Sequence, residues 1–315
     1  MPFTLSQYIR WILKISVTVI ILAYLVWTIN SYRSEYEKLF NSFFQTKNSL
    51  LLIVLFVLML VNWSFEALKW KLLASKVEEI SFLKALKSVF VGISIGVLTP
   101  KSVGDCVGRF LLLRSFKKYR LLGALLLGQA FQLTATLLFG VPAAWYYFRR
   151  IDDGFVSNFV LALMFLLLSV VAIRFRKTLL TAVFETQIGI RIKTYLVVVK
   201  EYSPFELFKI SMYSIFRYLV FTVQYILVLQ LFHVGFSFVE LFLLVSVVYL
   251  IKSMLFSINF VADMGMRQIT AVSVMGMVGV AESSTVMASF AVWAINIGIP
   301  AVIGLFYWIQ LKLKW

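Results

Sequence analysis

Long apolar segments alternate along the chain with short polar connections. A helix needs about 20 predominantly apolar residues to cross the hydrocarbon core of a bilayer. Six segments meet this requirement: residues 12–29, 50–68, 121–148, 155–173, 210–232 and 283–311. The pattern predicts an all-α polytopic membrane protein with six transmembrane helices.

Two further apolar regions, residues 83–115 and 238–279, contain charged residues and a loop-like centre. Non-helical backbone at membrane depth is tolerated only where it is buried in protein or lines a wet cavity. We therefore predict that each region is a re-entrant hairpin, in which two short helices meet inside the membrane. Hydropathy alone would also allow eight to ten crossings.

The two halves of the chain share three short sequence features. A Ser-Phe step at residues 81 and 237, a break that contains Gly104 or Gly265, and a Gly-x-Pro-Ala run at residues 140 and 298 recur at offsets of roughly 156, 161 and 158 residues. Interrupted helices in a duplicated membrane protein indicate a binding site at the repeat interface. We expect one membrane domain, residues 1–315, whose halves, about 1–150 and 151–315, form an inverted repeat.

Composition agrees with this architecture. Hydrophobic residues make up 62% of the chain and charged residues 14%, compared with roughly 45–50% and about 25% in soluble domains. The chain has one cysteine, Cys106, and one histidine, His233, which are too few for a disulfide framework or a zinc motif. We expect no metal, no cofactor and no catalytic group.

The formal charge of +16 is explained by topology. Lysines and arginines lie in short connections beside apolar segments, where the positive-inside rule and anionic headgroups account for them. If neither hairpin crosses the membrane, all the basic connections fall on one face. We therefore expect both termini on the cytoplasmic side of the cell membrane. We expect no nucleic-acid partner, because the sequence shows no solvated basic domain.

The break in the first hairpin contains residues that we expect to bind a ligand. Pro100 removes a backbone donor and Gly104 permits unusual backbone angles, so the next half-helix can present amides that attract anions. Asp105 and Arg109 follow, four residues apart on one helix face. Two alternatives stay open: a proline kink in a spanning helix, and a structural ion pair that closes the hairpin.

The second hairpin repeats this acid-to-base spacing. Asp263 and Arg267 are again four residues apart, Gly265 lies between them, and Lys252 precedes them. A charge near the bilayer centre costs at least about 2.5 to 3.5 kcal/mol, so such residues are a functional-site hypothesis by default. These charged residues are therefore candidates for substrate contact.

Polar and aromatic residues outside the hairpins have simpler explanations. Gln129 and Gln132 share a face of the third predicted span, where they serve substrate contact or helix-to-helix hydrogen bonds. Snorkelling to the interface is expected for Glu66, Lys69 and Glu282, and an interfacial aromatic belt for tryptophans such as Trp63. The residues predicted to bind substrate are Pro100, Gly104, Asp105, Arg109, Gln129, Gln132, Lys252, Asp263, Gly265 and Arg267.

The run Thr99-Pro100-x-x-x-Gly104-Asp105, followed by Arg109, resembles the first hairpin of the lysylphosphatidylglycerol synthase transmembrane-region family. The family's second signature resembles Pro-Gly-Gly-x-Gly-x-Arg-Glu, and the corresponding run is residues 261–268. The glycine and the arginine match in that run. The proline, the two early glycines and the glutamate are replaced. Gln268 stands in place of the glutamate, which weakens the case for a proton- or amine-binding group at that position.

The resemblance implies a flippase-like membrane domain. Family members with lysyl-transferase activity carry an additional soluble catalytic domain, and we expect this chain to supply the lipid-handling part without aminoacyl transfer. A lipid flippase, or a transporter of a lipid-linked intermediate, is therefore expected. Arg109, Arg267 and hairpin amides would hold the phosphate of an anionic headgroup. The expected partners are membrane lipids.

Two other classes of function remain open at this point. The chain could be a non-transporting partner subunit of a separate synthase, another lipid-modifying enzyme or a glycosyltransferase. It could also be a membrane-embedded enzyme acting on lipid phosphates, which would need clustered acids for magnesium. The adjacent acid pairs, at residues 78–79 and 152–153, both lie in predicted connections.

Overall fold

The computed structural model describes residues 33–45, 48–99, 103–114, 118–151, 197–255 and 260–312. Within these ranges the α-helices are α1 (Arg33–Phe43), α2 (Ser49–Ala74), α3 (Phe82–Leu98), α4 (Val103–Leu111), α5 (Lys118–Ile151), α6 (Pro204–Leu231), α7 (Phe238–Met254), α8 (Phe260–Gly276), α9 (Glu282–Trp293) and α10 (Ile299–Lys312). A 3-10 turn (Val197–Glu201) precedes α6, and a π turn (Ala294–Gly298) joins α9 to α10. The described part of the chain is all-helical, as predicted.

Four segments of the described chain are long and apolar enough to cross a membrane. They are Ser49–Ala74, Tyr119–Tyr147, Pro204–Leu231 and Glu282–Gln310, the last of which runs from α9 through the π turn into α10. These segments match four of the six predicted spans. The other two predicted spans, residues 12–29 and 155–173, lie outside the described residues. The length and composition of the four helices are those of an integral membrane protein.

Each predicted hairpin region consists of two helices, α3–α4 and α7–α8. A serine caps the first helix of each pair, because Ser81 accepts a hydrogen bond from the Lys84 amide and Ser237 accepts one from the Glu240 amide. The Glu240 carboxylate also accepts from the Ser237 amide, which completes a capping box. The first helix of each pair ends at an extended residue, Thr99 or Leu255, so both regions are interrupted as predicted. The predicted positions of the breaks are wrong, because Gly104 lies within α4 and Gly265 lies within α8. Residues 100–102 and 256–259 lie outside the described residues.

Glycines bring α3 and α4 into close contact. Gly92 and Gly96 lie one turn apart on α3, and Gly104 and Gly108 lie one turn apart on α4. A Cβ atom at Gly108 would lie 2.6 Å from the Cα of Gly92. Small residues at this spacing let membrane helices approach backbone to backbone. The sequence of α7 contains no glycine.

Each helix pair also packs against the last long segment of the other half of the chain. Helix α3 contacts α10, α7 contacts α5, and α2 and α6 pack against each other. A Cβ atom at Gly304 of α10 would clash with the carbonyl group of Phe90 on α3. One at Gly140 of α5 would lie 3.0 Å from the carbonyl oxygen of Ser246 on α7. Phe90 and Ser246 lie 156 residues apart, as do the capping serines Ser81 and Ser237. The two halves of the chain therefore make equivalent contacts with each other.

Candidate functional site

A polar cavity of about 500 Å³ lies among the long helices and the two helix pairs. Residues from α2 to α8 and from the π turn line it. The charged lining residues are Glu66, Lys69, Asp105, Arg109, Arg217, Lys252, Asp263 and Arg267. Of the ten residues predicted to bind substrate, the cavity brings together Asp105, Arg109, Gln129, Gln132, Lys252, Asp263 and Arg267.

Glu66 of α2 contacts three cations from three helices. Its Oε2 lies 2.7 Å from Nζ of Lys69 on α2 and 3.0 Å from Nη1 of Arg217 on α6. Its Oε1 accepts a hydrogen bond of 2.9 Å from Nη1 of Arg109 on α4. Nε of Arg109 donates a second bond, also of 2.9 Å, to Oδ1 of Asp105. This first ion cluster ties the α3–α4 pair to α2 and α6.

The predicted snorkelling of Glu66 and Lys69 is wrong. Both residues are buried in the protein, because each charge meets opposite charge inside the helical assembly and is compensated there. Arg109 and Arg217 come from helices far along the chain, so hydropathy of a single span could not reveal them. The available signal was the i, i+3 spacing of Glu66 and Lys69, which places an acid and a base side by side on a helix.

Asp263 of α8 forms a second ion cluster. Its Oδ1 contacts Nζ of Lys252 on α7, and its Oδ2 accepts a hydrogen bond of 2.8 Å from Nε of Arg267. The Arg267 side chain is 31% exposed, compared with 5% for Arg109. The same acid-to-base spacing therefore produces a buried base in α4 and a more accessible base in α8.

The cavity carries an excess of positive charge. Its lining contains three acids and five bases, which give a net charge of +2 when all eight are ionised. Each acid contacts at least one base. Among the residues that the structure describes, no three His, Cys, Asp or Glu side chains are grouped as metal ligands.

Gln132 connects α5 to the first ion cluster. Its Oε1 accepts hydrogen bonds from Nζ of Lys69 and Nη1 of Arg217, both at 3.4 Å, and its Nε2 donates to the carbonyl of Ser214 at 3.5 Å. Gln129 lies about one turn earlier, lines the cavity and is exposed. Gln132 thus has the contacts of a helix-to-helix residue, whereas Gln129 is the more accessible amide.

Aromatic side chains contribute to the cavity wall, a feature that the sequence pattern did not predict. Trp63 is buried and lines the cavity, so it does not belong to an interfacial belt. Phe221 and Tyr249 stack with 5.4 Å between ring centroids, and Tyr218 meets Tyr249 edge-on at 5.8 Å. The guanidinium carbon of Arg217 lies 4.8 Å from the centre of the Trp63 ring, a cation–π contact.

The π turn supplies the anchor for Trp63. Pro300 has no amide hydrogen, so it cannot donate to the carbonyl of Asn296, four residues earlier. That carbonyl accepts a hydrogen bond of 3.0 Å from Nε1 of Trp63 instead. Nδ2 of Asn62 donates to Oδ1 of the same asparagine at 3.2 Å. The proline of the second Gly-x-Pro-Ala run thus releases a backbone acceptor that joins the last span to α2.

The Gly104 amide is not available to an anion, contrary to prediction. It donates a hydrogen bond of 2.8 Å to Oγ1 of Thr99, whose hydroxyl donates to the carbonyl of Ile95 at 3.0 Å. Thr99 lies just before the break and satisfies an amide in the first turn of α4, as helix-capping side chains do. Gly104 and Gly265 are buried and do not line the cavity, and Pro100 lies outside the described residues.

A family model described as the lysylphosphatidylglycerol synthase TM region matches residues 11–304. The chain belongs to this family. The match covers nearly the whole chain, including both helix pairs, and confirms the family that the hairpin motifs resemble. Comparisons with curated proteins and with solved structures found no match. Membership of the lysylphosphatidylglycerol synthase TM-region family, together with the four candidate spans, makes this chain an integral membrane protein.

Proposed function

We propose that this family member is a flippase-like transporter that moves a phospholipid or a lipid-linked intermediate across the membrane. The observation that carries the proposal is a cavity of about 500 Å³, lined by eight charged side chains, in an apolar helical protein. Ionisable residues inside a membrane protein are costly and mark substrate pathways. The volume is within the range of about 300–1,000 Å³ that ligand pockets occupy, and it suits a headgroup whose acyl tails stay in the bilayer.

The charge of the cavity favours an anionic headgroup or a lipid phosphate. The lining has a net charge of +2, and Arg217 and Arg267 are its more accessible arginines, at 23% and 31% exposure. Guanidinium groups bind phosphate oxygens through two parallel, charge-assisted hydrogen bonds. Lys252 adds a third cation on the same side as Arg267, because both contact Asp263. The seven predicted residues in the lining are the proposed substrate-binding groups.

The proposed topology has six transmembrane helices and two re-entrant helix pairs in an inverted repeat, with halves of about residues 1–150 and 151–315. The reciprocal contacts of α3 with α10 and of α7 with α5 support this arrangement, because an in-plane two-fold axis exchanges the two halves. Both pairs then reach toward the midplane with the cavity between them. Both termini lie on the cytoplasmic side of the cell membrane, and alternating access comes from rocking one half against the other.

Transbilayer movement of fluorescent phospholipids in proteoliposomes tests the proposal. The purified chain is reconstituted with a labelled phosphatidylglycerol or a labelled phosphatidylcholine, and quenching of outer-leaflet label reports movement. We expect faster movement of the anionic lipid. Replacing Arg267 with Gln should slow it about tenfold or more, the effect of losing one charge-assisted hydrogen bond to phosphate.

The control is Arg33→Gln, which removes one positive charge from an exposed pair on α1 and should move lipid like the wild type. Chemical analysis of the recovered lipid separates transport from catalysis: unmodified lipid supports the transporter, and modified lipid supports the enzyme. If no lipid moves, the transporter is contradicted and the partner subunit of a separate synthase or glycosyltransferase becomes the better proposal.

A further inference from the structure

Arg217 differs from the other two cations that contact Glu66. The side chains of Lys69 and Arg109 are 4% and 5% exposed, whereas that of Arg217 is 23% exposed and lines the cavity. Arg217 and Lys69 share the same oxygen of Glu66. If Arg217 turned away, Glu66 would keep Lys69 and Arg109 as partners. The movement would therefore leave no uncompensated buried acid, which is the costly outcome when a buried ion pair is broken.

One edge of the Arg217 guanidinium is unused. Nη1 makes both of its described polar contacts, to Oε2 of Glu66 at 3.0 Å and to Oε1 of Gln132 at 3.4 Å. Its Nε is buried and has no hydrogen-bond partner among the residues that the structure describes. A buried donor without a partner is destabilising. The unpaired donor therefore points to an acceptor that a ligand supplies.

Trp63 orients this edge. The Arg217 guanidinium lies over the Trp63 ring at 4.8 Å, and the ring is fixed by its hydrogen bond to the Asn296 carbonyl. Stacking on an aromatic face leaves the donors at the rim of the guanidinium plane available for bidentate binding of phosphate. Arg217 thus combines access to the cavity, a fixed plane and an unpaired donor.

We propose that Arg217 recruits the headgroup phosphate and that Glu66 competes with the phosphate for it. This inference rests on the proposed function, because it assigns a role within the same cavity. Nη1 of Arg217 contacts Glu66. Because Nε is buried while Nη1 contacts Glu66, a phosphate reaches the edge formed by Nε and Nη2 only when Arg217 turns away from Glu66. Glu66 then remains with Lys69 and Arg109. The difference in free energy between the contact of Arg217 with phosphate and its contact with Glu66 sets the affinity for the anion.

The test is calorimetric titration of the purified full chain with dihexanoyl phosphatidylglycerol and, separately, with inorganic phosphate. Arg217→Gln should weaken lipid binding about tenfold or more, whereas Glu66→Gln should tighten it because the competing charge is gone. A merely structural role would weaken binding in both variants, so the opposite signs are diagnostic. If Glu66→Gln does not fold, Glu66→Asp retains the charge, shortens its reach and should change the affinity in the same direction.

Arg33→Gln is the matched control for loss of one arginine charge, and Arg217→Lys should bind with intermediate affinity because it lacks the bidentate edge. Equal binding by the wild type and Arg217→Gln would overturn this inference and leave the proposed function intact. A wild-type chain that binds no anionic lipid would overturn both. Inorganic phosphate binding as tightly as the lipid would retain Arg217 as an anion anchor and overturn the lipid headgroup as its source.

Discussion

The pairs α3–α4 and α7–α8 begin in the same way and are held together differently. Both start with a serine cap, and both place an acid and a base one turn apart on the second helix. In α3–α4, glycines bring the backbones together and Arg109 is buried between Asp105 and Glu66. In α7–α8, Arg267 remains accessible. Equal spacing in the sequence therefore does not produce equal environments.

The different exposure of Arg109 and Arg267 indicates different roles for the two helix pairs. Arg109 compensates two acids in a buried cluster, so we expect its main contribution to be stability. Arg267 shares Asp263 with Lys252 and is partly exposed, so we expect its main contribution to be ligand binding. The alternative that the acid and base form a structural ion pair thus applies more strongly to α3–α4 than to α7–α8.

The largest effect is expected from comparing Arg109→Ala with Arg267→Ala. Arg109→Ala should lower the free energy of unfolding by about 3–5 kcal/mol, because Glu66 and Asp105 both lose a buried contact. Arg267→Ala should lower it by about 0–1 kcal/mol, as for a solvent-accessible pair, because Asp263 retains Lys252. Denaturation of both variants in one detergent measures their free energies of unfolding. Equal losses would contradict the assignment of stability to Arg109 and of ligand binding to Arg267.

A smaller effect is expected from the glycine contact of the first pair. Gly108→Ala should lower the free energy of unfolding by about 1–3 kcal/mol, the usual cost of overpacking, because the new Cβ atom would lie 2.6 Å from Gly92 Cα and 2.7 Å from the Val91 carbonyl oxygen.

The control for this change comes from the second pair. A Cβ atom at Gly276 meets no atom within 4 Å, so Gly276→Ala should stay within about 0.5 kcal/mol of the wild type. Thermal denaturation of the two variants, followed by circular dichroism, gives the comparison. A Gly108→Ala variant as stable as Gly276→Ala would mean that backbone contact does not hold α3 against α4.

The smallest effect concerns the caps. Ser237→Ala should lower the free energy of unfolding by about 1 kcal/mol. Ser81→Ala should lower it by less, because Ser237 belongs to a reciprocal capping box, whereas Lys84 occupies the corresponding position after Ser81 and cannot accept a hydrogen bond. Replicate chemical denaturation measurements resolve the difference in unfolding free energy between the two variants. A larger loss in Ser81→Ala than in Ser237→Ala would show that the capping box does not add stability.

Much of this architecture follows from local patterns. The long apolar helices α2, α5 and α6, and the interrupted helix pairs, could be predicted because span length and helix caps depend on neighbouring residues. Seven of the ten predicted binding residues reach the cavity for a related reason: charged and amide groups in apolar segments need a polar environment. The position of the Gly104 amide could not be predicted, because its acceptor on Thr99 depends on the path of the chain through the break.

The sequence by itself determined the membrane class, the family, the two interrupted regions and the i, i+4 acid-to-base pairs, since each depends on residues close together in the chain. Only the tertiary structure decided which charges meet. Glu66 finds its partners on α2, α4 and α6, and Trp63 finds its acceptor in the π turn. Burial and charge compensation belong to the packed assembly, and for that reason one arginine of the repeated motif is enclosed while the other remains open to a ligand.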